Sequence, residues 1–194
     1  LDAARKKQAE YGLAFDALDK AELARREPHL NGDFAGGLTW RDPWAVLDPL
    51  ALTQAYVRLF ETLGGRFVHG DATTLSPVAN GWTVKTQDGP VQGEEVVVAL
   101  GPWSDTVTAP LGYRYLVGVK RGYHMHYAPS DGARLNGWLM DAERGYLLAP
   151  MNQGIRLTTG AEFALRDAPK TPVQLARAEA IARKIFPLGE RLDS

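Results

Sequence analysis

Cysteine is absent from the 194 residues, which excludes disulfide scaffolds, thiolate-held zinc, iron–sulfur clusters and a thiol nucleophile. A charge excess is absent too. Lys and Arg number 22 against 23 Asp and Glu, for a net charge of −1, so the chain as a whole makes no electrostatic case for nucleic acid or an anionic membrane surface. No apolar run approaches the ~20 residues of a membrane helix. The chain opens Leu1-Asp2-Ala3 with no initiator Met and no signal-peptide apolar stretch. The expectation is a cytoplasmic protein, with peripheral attachment at the inner face of the membrane as the variant, and a chain processed or cut from a longer one. None of the 20 glycines is separated from another by a single residue. The G-x-G-x-x-G fingerprint is therefore missing, as are G-x-x-x-x-G-K-[ST] and G-x-S-x-G, and Ser104 reads as a turn residue. What is present is 45% apolar and 23% charged, an ordinary composition with enough apolar material for a core.

Punctuation and periodicity divide the chain. Residues 2–11 favour helix, and Phe15–Leu18 reads as a short strand. Asp19 with Glu22 forms a capping box for a helix that stops near Glu27, ahead of Pro28. Asn31–Gly37 carries five Gly, Asn or Asp in seven residues and predicts no regular element. Asp48-Pro49 starts a helix whose Leu52, Tyr56, Leu59, Phe60 and Leu63 share one face, read as core packing, and Gly64-Gly65 ends it. Arg66–Val68 and Ala72–Leu75 are extended candidates, and Gly81–Thr86 with the run from Val91 predicts a hairpin around Asp88-Gly89. Val96–Leu100 is continuously apolar, the pattern of a strand buried on both faces beside parallel neighbours. Tyr115–Tyr127 is strand-like, with Tyr123, Met125 and Tyr127 on one face and His124 and His126 on the other. Trp138–Met140, Tyr146–Ala149 and Ile155–Thr159 then predict an antiparallel meander, and Thr171-Pro172 opens a last helix with Leu175, Ala178, Ile181, Ala182 and Ile185 on one face. The fold class is α+β, a helix-flanked, mixed but mostly antiparallel sheet.

Chemistry-bearing residues are sparse. His124-x-His126 places two imidazoles on one strand face, half of a metal site at most. No third ligand stands at a suitable spacing, so no metal is assigned. Asp141 and Glu143 could act as paired carboxylates, but they sit at a hairpin turn, where acidic residues are common, and the turn is the preferred reading. Arg121 near Tyr123 could hold an anionic substrate by a charge-assisted contact, against the alternative of a strand-edge arginine paired with a surface acid. No catalytic residue is assigned.

Three stretches in order carry a resemblance. They are Asp48-Pro49-Leu50-Ala51-Leu52 opening a helix that ends at Gly64-Gly65-Arg66-Phe67; Val96–Leu100 followed by Gly101-Pro102-Trp103-Ser104; and Lys120-Arg121-Gly122-Tyr123-His124 with Gly145–Met151 and Gly154–Phe163. From about Leu18 to Phe186 the chain resembles the FAD-dependent oxidoreductases of the D-amino-acid oxidase superfamily, and bacterial D-amino-acid dehydrogenases in particular. The resemblance implies the central part of a longer enzyme. Residues 1–47 would be the N-terminal part of a substrate lobe, 48–111 partial elements of an FAD-binding α/β lobe, and 112–194 the substrate-binding antiparallel sheet and helix. It implies FAD as cofactor of the full-length protein, absent from this fragment, with Ala72, Ala99, Gly101 and Trp103 near it. It implies Arg121, Tyr123, Tyr146, Met151 and Phe163 at the substrate, with core packing as the competing reading for each aromatic. The implied reaction moves the α-hydrogen of a D-amino acid as hydride to flavin, giving an imino acid and then a keto acid. Electrons would pass on to a quinone or carrier, and the fragment alone would be inactive. The alternatives are a stand-alone ligand-binding or interaction module without redox activity, and a flavoenzyme of the same superfamily acting on sarcosine, glycine or glycerol phosphate.

Overall fold

A computed structural model describes residues 2–192. Its elements are α1 (Asp2–Glu10), β1 (Phe15–Asp19), α2 (Lys20–Arg26), β2 (Gly36–Trp40), α3 (Pro49–Thr62), β3 (Gly70–Val78), β4 (Gly81–Thr86), β5 (Gly89–Gly93), α4 (Ser104–Thr108), β6 (Lys120–Pro129), β7 (Leu139–Asp141), β8 (Tyr146–Met151), β9 (Gly154–Phe163), α5 (Val173–Ile185) and β10 (Leu188–Leu192). The chain is α+β. Its sheets run β1-β2, β3-β4-β5 and β10-β6-β9-β8-β7, with antiparallel pairing at β1–β2, β3–β4, β4–β5, β7–β8, β8–β9 and β10–β6. Two compact units emerge, one of residues 2–49, 122–162 and 169–192, the other of 50–121 and 163–168.

The first unit holds the core. Period-2 alternation sends Tyr146 and Leu148 of β8, Ile155 and Leu157 of β9, and Tyr127 of β6 to one sheet face. There they meet Leu175, Ala178, Ala182 and Ile185, the apolar stripe of α5, and Phe186 behind them. Leu148, Leu157 and Ala182 are fully buried, and each of the two leucine side chains contributes roughly 1.5–3 kcal/mol over its exposed state. At the helix N-terminus of α2, Asp19 accepts the Glu22 backbone N–H at 2.8 Å and Glu22 accepts that of Asp19 at 2.9 Å, the reciprocal box expected from sequence. Glu179 of α5 fastens β10 to the unit by accepting from Arg191 and from Arg183.

Four expectations need correction. Gly36–Trp40 forms β2, paired Phe15↔Trp40 through Asp19↔Gly36, although a turn-rich link was expected up to Gly37; partner hydrogen bonds override the poor strand propensity of Gly36-Gly37. Tyr115–Val119 lies outside any strand, and β6 begins at Lys120. Val96–Leu100 also lies outside every strand. Val97 is 88% exposed there, because no parallel neighbour lies beside it among the described residues. Finally, α3 has no buried residue. Leu52, Tyr56, Leu59, Phe60 and Leu63 keep their helical spacing but are 45–78% exposed. The second unit offers a three-stranded meander and the five-residue α4, too little to cover a five-residue apolar face.

Candidate functional site

In the second unit, β3 carries Ala72, half-buried, close to a slip in register between Asp71 and Ser76. Asp71 holds the turn there by accepting from the Thr73 backbone N–H at 2.9 Å and hydroxyl at 2.6 Å, bonds that keep its carboxyl below the usual carboxylate range. The extended segment through Ala99, which is exposed, runs into Gly101. Gly101 adopts φ +54, and a Cβ there would meet nothing within 4 Å. The backbone thus makes a left-handed turn that glycine tolerates readily, with open space against it. A 3₁₀ turn, Gly101–Trp103, leads directly into α4, which packs against β3. Trp103 is 55% exposed, and its carbonyl accepts the Thr106 hydroxyl at 2.6 Å.

Next to this turn lies a cleft of about 630 Å³ lined by Pro102, Asp105, the Val117–Val119 segment and residues 164–168, within the size range of small-molecule sites. Arg166 spans its wall, reaching Asp105 and the Pro102 carbonyl at 3.4 Å each and Asp167 at 3.3 Å. Arg121 is half-buried and donates to the Ala168 carbonyl at 2.5 Å. Phe163 is 79% exposed, with the Lys120 ammonium 5.2 Å from its ring centroid. Gly101, Trp103 and Phe163 do not line this cleft but adjoin its lining along the chain, Arg121 reaches it through Ala168, and Ala72 stands on the strand that α4 contacts.

The remaining three expected substrate residues belong to the first unit. Tyr123 donates to Glu162 at 2.7 Å and accepts the Thr171 backbone N–H at 2.8 Å, while the Thr171 hydroxyl donates to Glu162 at 2.7 Å. This closed triangle pins the loop ahead of α5. Tyr146 is 2% exposed on the helix-packed face. Burial, and then the neighbouring Asp141 carboxylate, push its phenol above the ordinary tyrosine value. Asp141 itself is buried and paired with Arg144 at 3.1 Å, whereas the Glu143 side chain is 88% exposed, so the two carboxylates do different jobs at the turn. Met151 lies half-buried at the end of β8 on the opposite sheet face, opposite Gly154. The same face carries Arg156, and the alternation of β6 puts His124 and His126 there. No group of three or more His, Asp or Glu positioned for a metal occurs among the described residues.

Sequence reasoning missed Arg156, Glu162 and Arg166. The Thr-Gly-Ala-Glu-Phe stretch contained Glu162, but its partner Tyr123 lies 39 residues away. Arg156 joins the histidines only through a strand order that spacing does not encode.

Comparison with known proteins fits this arrangement. A family model described as FAD dependent oxidoreductase (DAO) matches residues 1–193. A protein named D-amino-acid oxidase from Bradyrhizobium diazoefficiens is 28% identical over 184 residues, covering 93% of this chain and 42% of the relative. One named D-amino acid dehydrogenase from Rhizobium johnstonii is 32% identical over 160 residues, covering 79% of this chain and 38% of the relative. The chain thus spans about two fifths of the length of these curated relatives. Among solved structures, glycine oxidase from Geobacillus kaustophilus superposes with a TM-score of 0.73 at 18% identity, over 93% of this chain and 48% of that one. L-proline dehydrogenase from P. horikoshii does so with 0.71 at 18%, over 95% and 53%; at this identity both establish the fold. With its α+β architecture and its glycine turn beside an open cleft, the chain belongs to the DAO family of FAD-dependent oxidoreductases.

Proposed function

We propose that this chain is part of an enzyme that oxidises the amine of a D-amino acid to an imino acid, which water converts to a keto acid and ammonia. The names of the curated relatives, D-amino acid dehydrogenase and D-amino-acid oxidase, support that substrate class. FAD, when bound, supplies the hydride acceptor. The observation that carries the reading is the Gly101 turn, whose positive φ and empty flank let a cofactor come against the backbone without meeting a side chain. Exposed Trp103 and Ala99 would border the cofactor, and Ala72 would meet it from β3.

The residues of the chain have separable tasks in this reading. Arg121 orients the substrate carboxylate by charge-assisted hydrogen bonding. Phe163 and Met151 give apolar contact. Tyr123 and Tyr146 act as positioning residues, since the first has its hydroxyl engaged by Glu162 and Thr171 and the second is enclosed beside Asp141. No acid or base is required, because alignment of the substrate Cα–H is the main demand. The apolar face of α3 and the Val96–Leu100 segment support assigning 48–111 to a nucleotide lobe that is completed by further elements in the full-length enzyme, with 1–47 and 112–194 as the substrate lobe. In that arrangement the fragment alone holds no FAD and is inactive, and electrons leave the full-length enzyme to a quinone or carrier.

The test is anaerobic mixing of the flavin-loaded full-length protein with D-alanine, L-alanine, glycine, sarcosine and glycerol 3-phosphate. Bleaching of the oxidised flavin by D-alanine above all others is expected. Bleaching by glycerol 3-phosphate or sarcosine alone would overturn the substrate assignment. A stoichiometric flavin spectrum on the 194 residues by themselves would overturn the assignment of a partial lobe.

A further inference from the structure

The sheet face turned away from α5 carries one arginine and two histidines that the proposed redox reaction does not use. By register, Arg156 pairs with Ala149, Thr158 with Leu147, Met151 with Gly154, Met140 with Leu147, and His126 with Leu192. None of the residues so paired on this face is acidic. His124 and His126, two apart on β6, stand edge to face with ring centroids 5.7 Å apart. His126 is 7% exposed, and its Nδ1 is enclosed without a hydrogen-bond partner, as is the Nε of Arg156. His124 is exposed and forms the open side of the cluster.

Buried polar atoms are nearly always satisfied, and leaving one without a partner costs roughly 1–3 kcal/mol. The arginine Nε can only donate and its charge is permanent. Whatever satisfies it must therefore present acceptor oxygen, and negative charge is favoured beside a permanent cation and two imidazoles that can take up protons. Burial, followed by Arg156 for His124 and by His124 and then Arg156 for His126, holds both imidazoles below their ordinary value of 6.5. An arriving anion would reverse that repulsion.

We propose that His124, His126 and Arg156 form a binding site for a small oxyanion, a carboxylate or phosphate group, on the face of the five-stranded sheet turned away from α5. Arg156 donates through Nε, His126 through Nδ1, and His124 closes the site from the solvent side. The site stands on the first unit alone and is independent of flavin chemistry.

The experiment is a titration of the protein with inorganic phosphate and, separately, acetate at constant ionic strength, following the imidazole resonances of its four histidines by NMR. His29, whose Nδ1 meets the Arg134 backbone, and His69, packed on Phe67, are internal controls. Saturable shifts of His124 and His126, with the controls unmoved and both titration midpoints raised by the ligand, are expected. The arm with the tighter saturation identifies the source as phosphate or carboxylate. Arg156→Gln should weaken binding at least about tenfold, the equivalent of one charge-assisted hydrogen bond. If that variant fails to fold, His124→Gln at the exposed position should still weaken it. No saturable movement, equal movement of all four histidines, or affinity unchanged in the variant that folds would overturn the proposal and leave the buried atoms to ordered water.

Discussion

Glu179 shows how single residues hold the first unit together. Burial by itself would raise the pKa of its carboxyl, but hydrogen bonds from Arg191 and Arg183 outweigh burial and leave it below the ordinary value of 4.5. The same carboxylate, after burial, helps push the Tyr127 hydroxyl up to about 12. A depressed folded-state pKa contributes stability that is complete above the unfolded value and is lost as pH falls through the folded one. Acid denaturation should therefore steepen below about pH 4.5, and Glu179→Gln should flatten that limb while lowering stability near neutral pH. Chemical denaturation across pH checks both effects, and a variant with the parent's acid limb would remove Glu179 from the account.

At the scale of elements, the capping box of α2 is local and therefore testable alone. Asp19→Ala should cost about 0.5–2 kcal/mol, read as a lower Tm, with Asp19→Asn recovering most of it. The box was legible in sequence because both partners lie within one turn. The α5 stripe and the alternation of β6, β8 and β9 were legible for the same reason, since a repeat of 3.6 or 2 residues sorts faces before any tertiary contact forms. β2 was hidden because its two leading glycines disfavour a strand and only pairing with β1 supplies the driving force. Val96–Leu100 misled in the opposite sense: its composition describes the neighbours such a segment suits, not neighbours found among the described residues. The candidate site was legible in part. Gly101 and Trp103 follow the apolar run at 96–100 and are singled out only through the family resemblance, whereas Arg166, Glu162 and Arg156 meet partners distant in sequence. Gly154 is a further element-scale constraint, with φ +129 and a would-be Cβ 2.5 Å from the Tyr127 carbonyl oxygen. Gly154→Ala should destabilise the β8–β9 turn by more than about 1 kcal/mol, measured by denaturant titration.

At the scale of the whole molecule, the two units are unequally built. Among the described residues, Val107 is the one buried apolar residue within 50–121 and 163–168. Local opening free energies follow the density of buried apolar contact. Amide hydrogens of β8, β9 and α5 should therefore exchange far more slowly than those of α3 and the β3–β5 meander, and equal protection in the two units would contradict the burial described above.

The valine run at 96–98 carries a cost in handling. Three consecutive β-branched residues in an extended stretch outside any ladder offer backbone amides and carbonyls to any passing chain, the template from which cross-β stacking grows. Replacing the most exposed of them, Val97→Lys, gives up little burial and puts a charge on that template. Light scattering at rising protein concentration should show its onset of turbidity displaced upward.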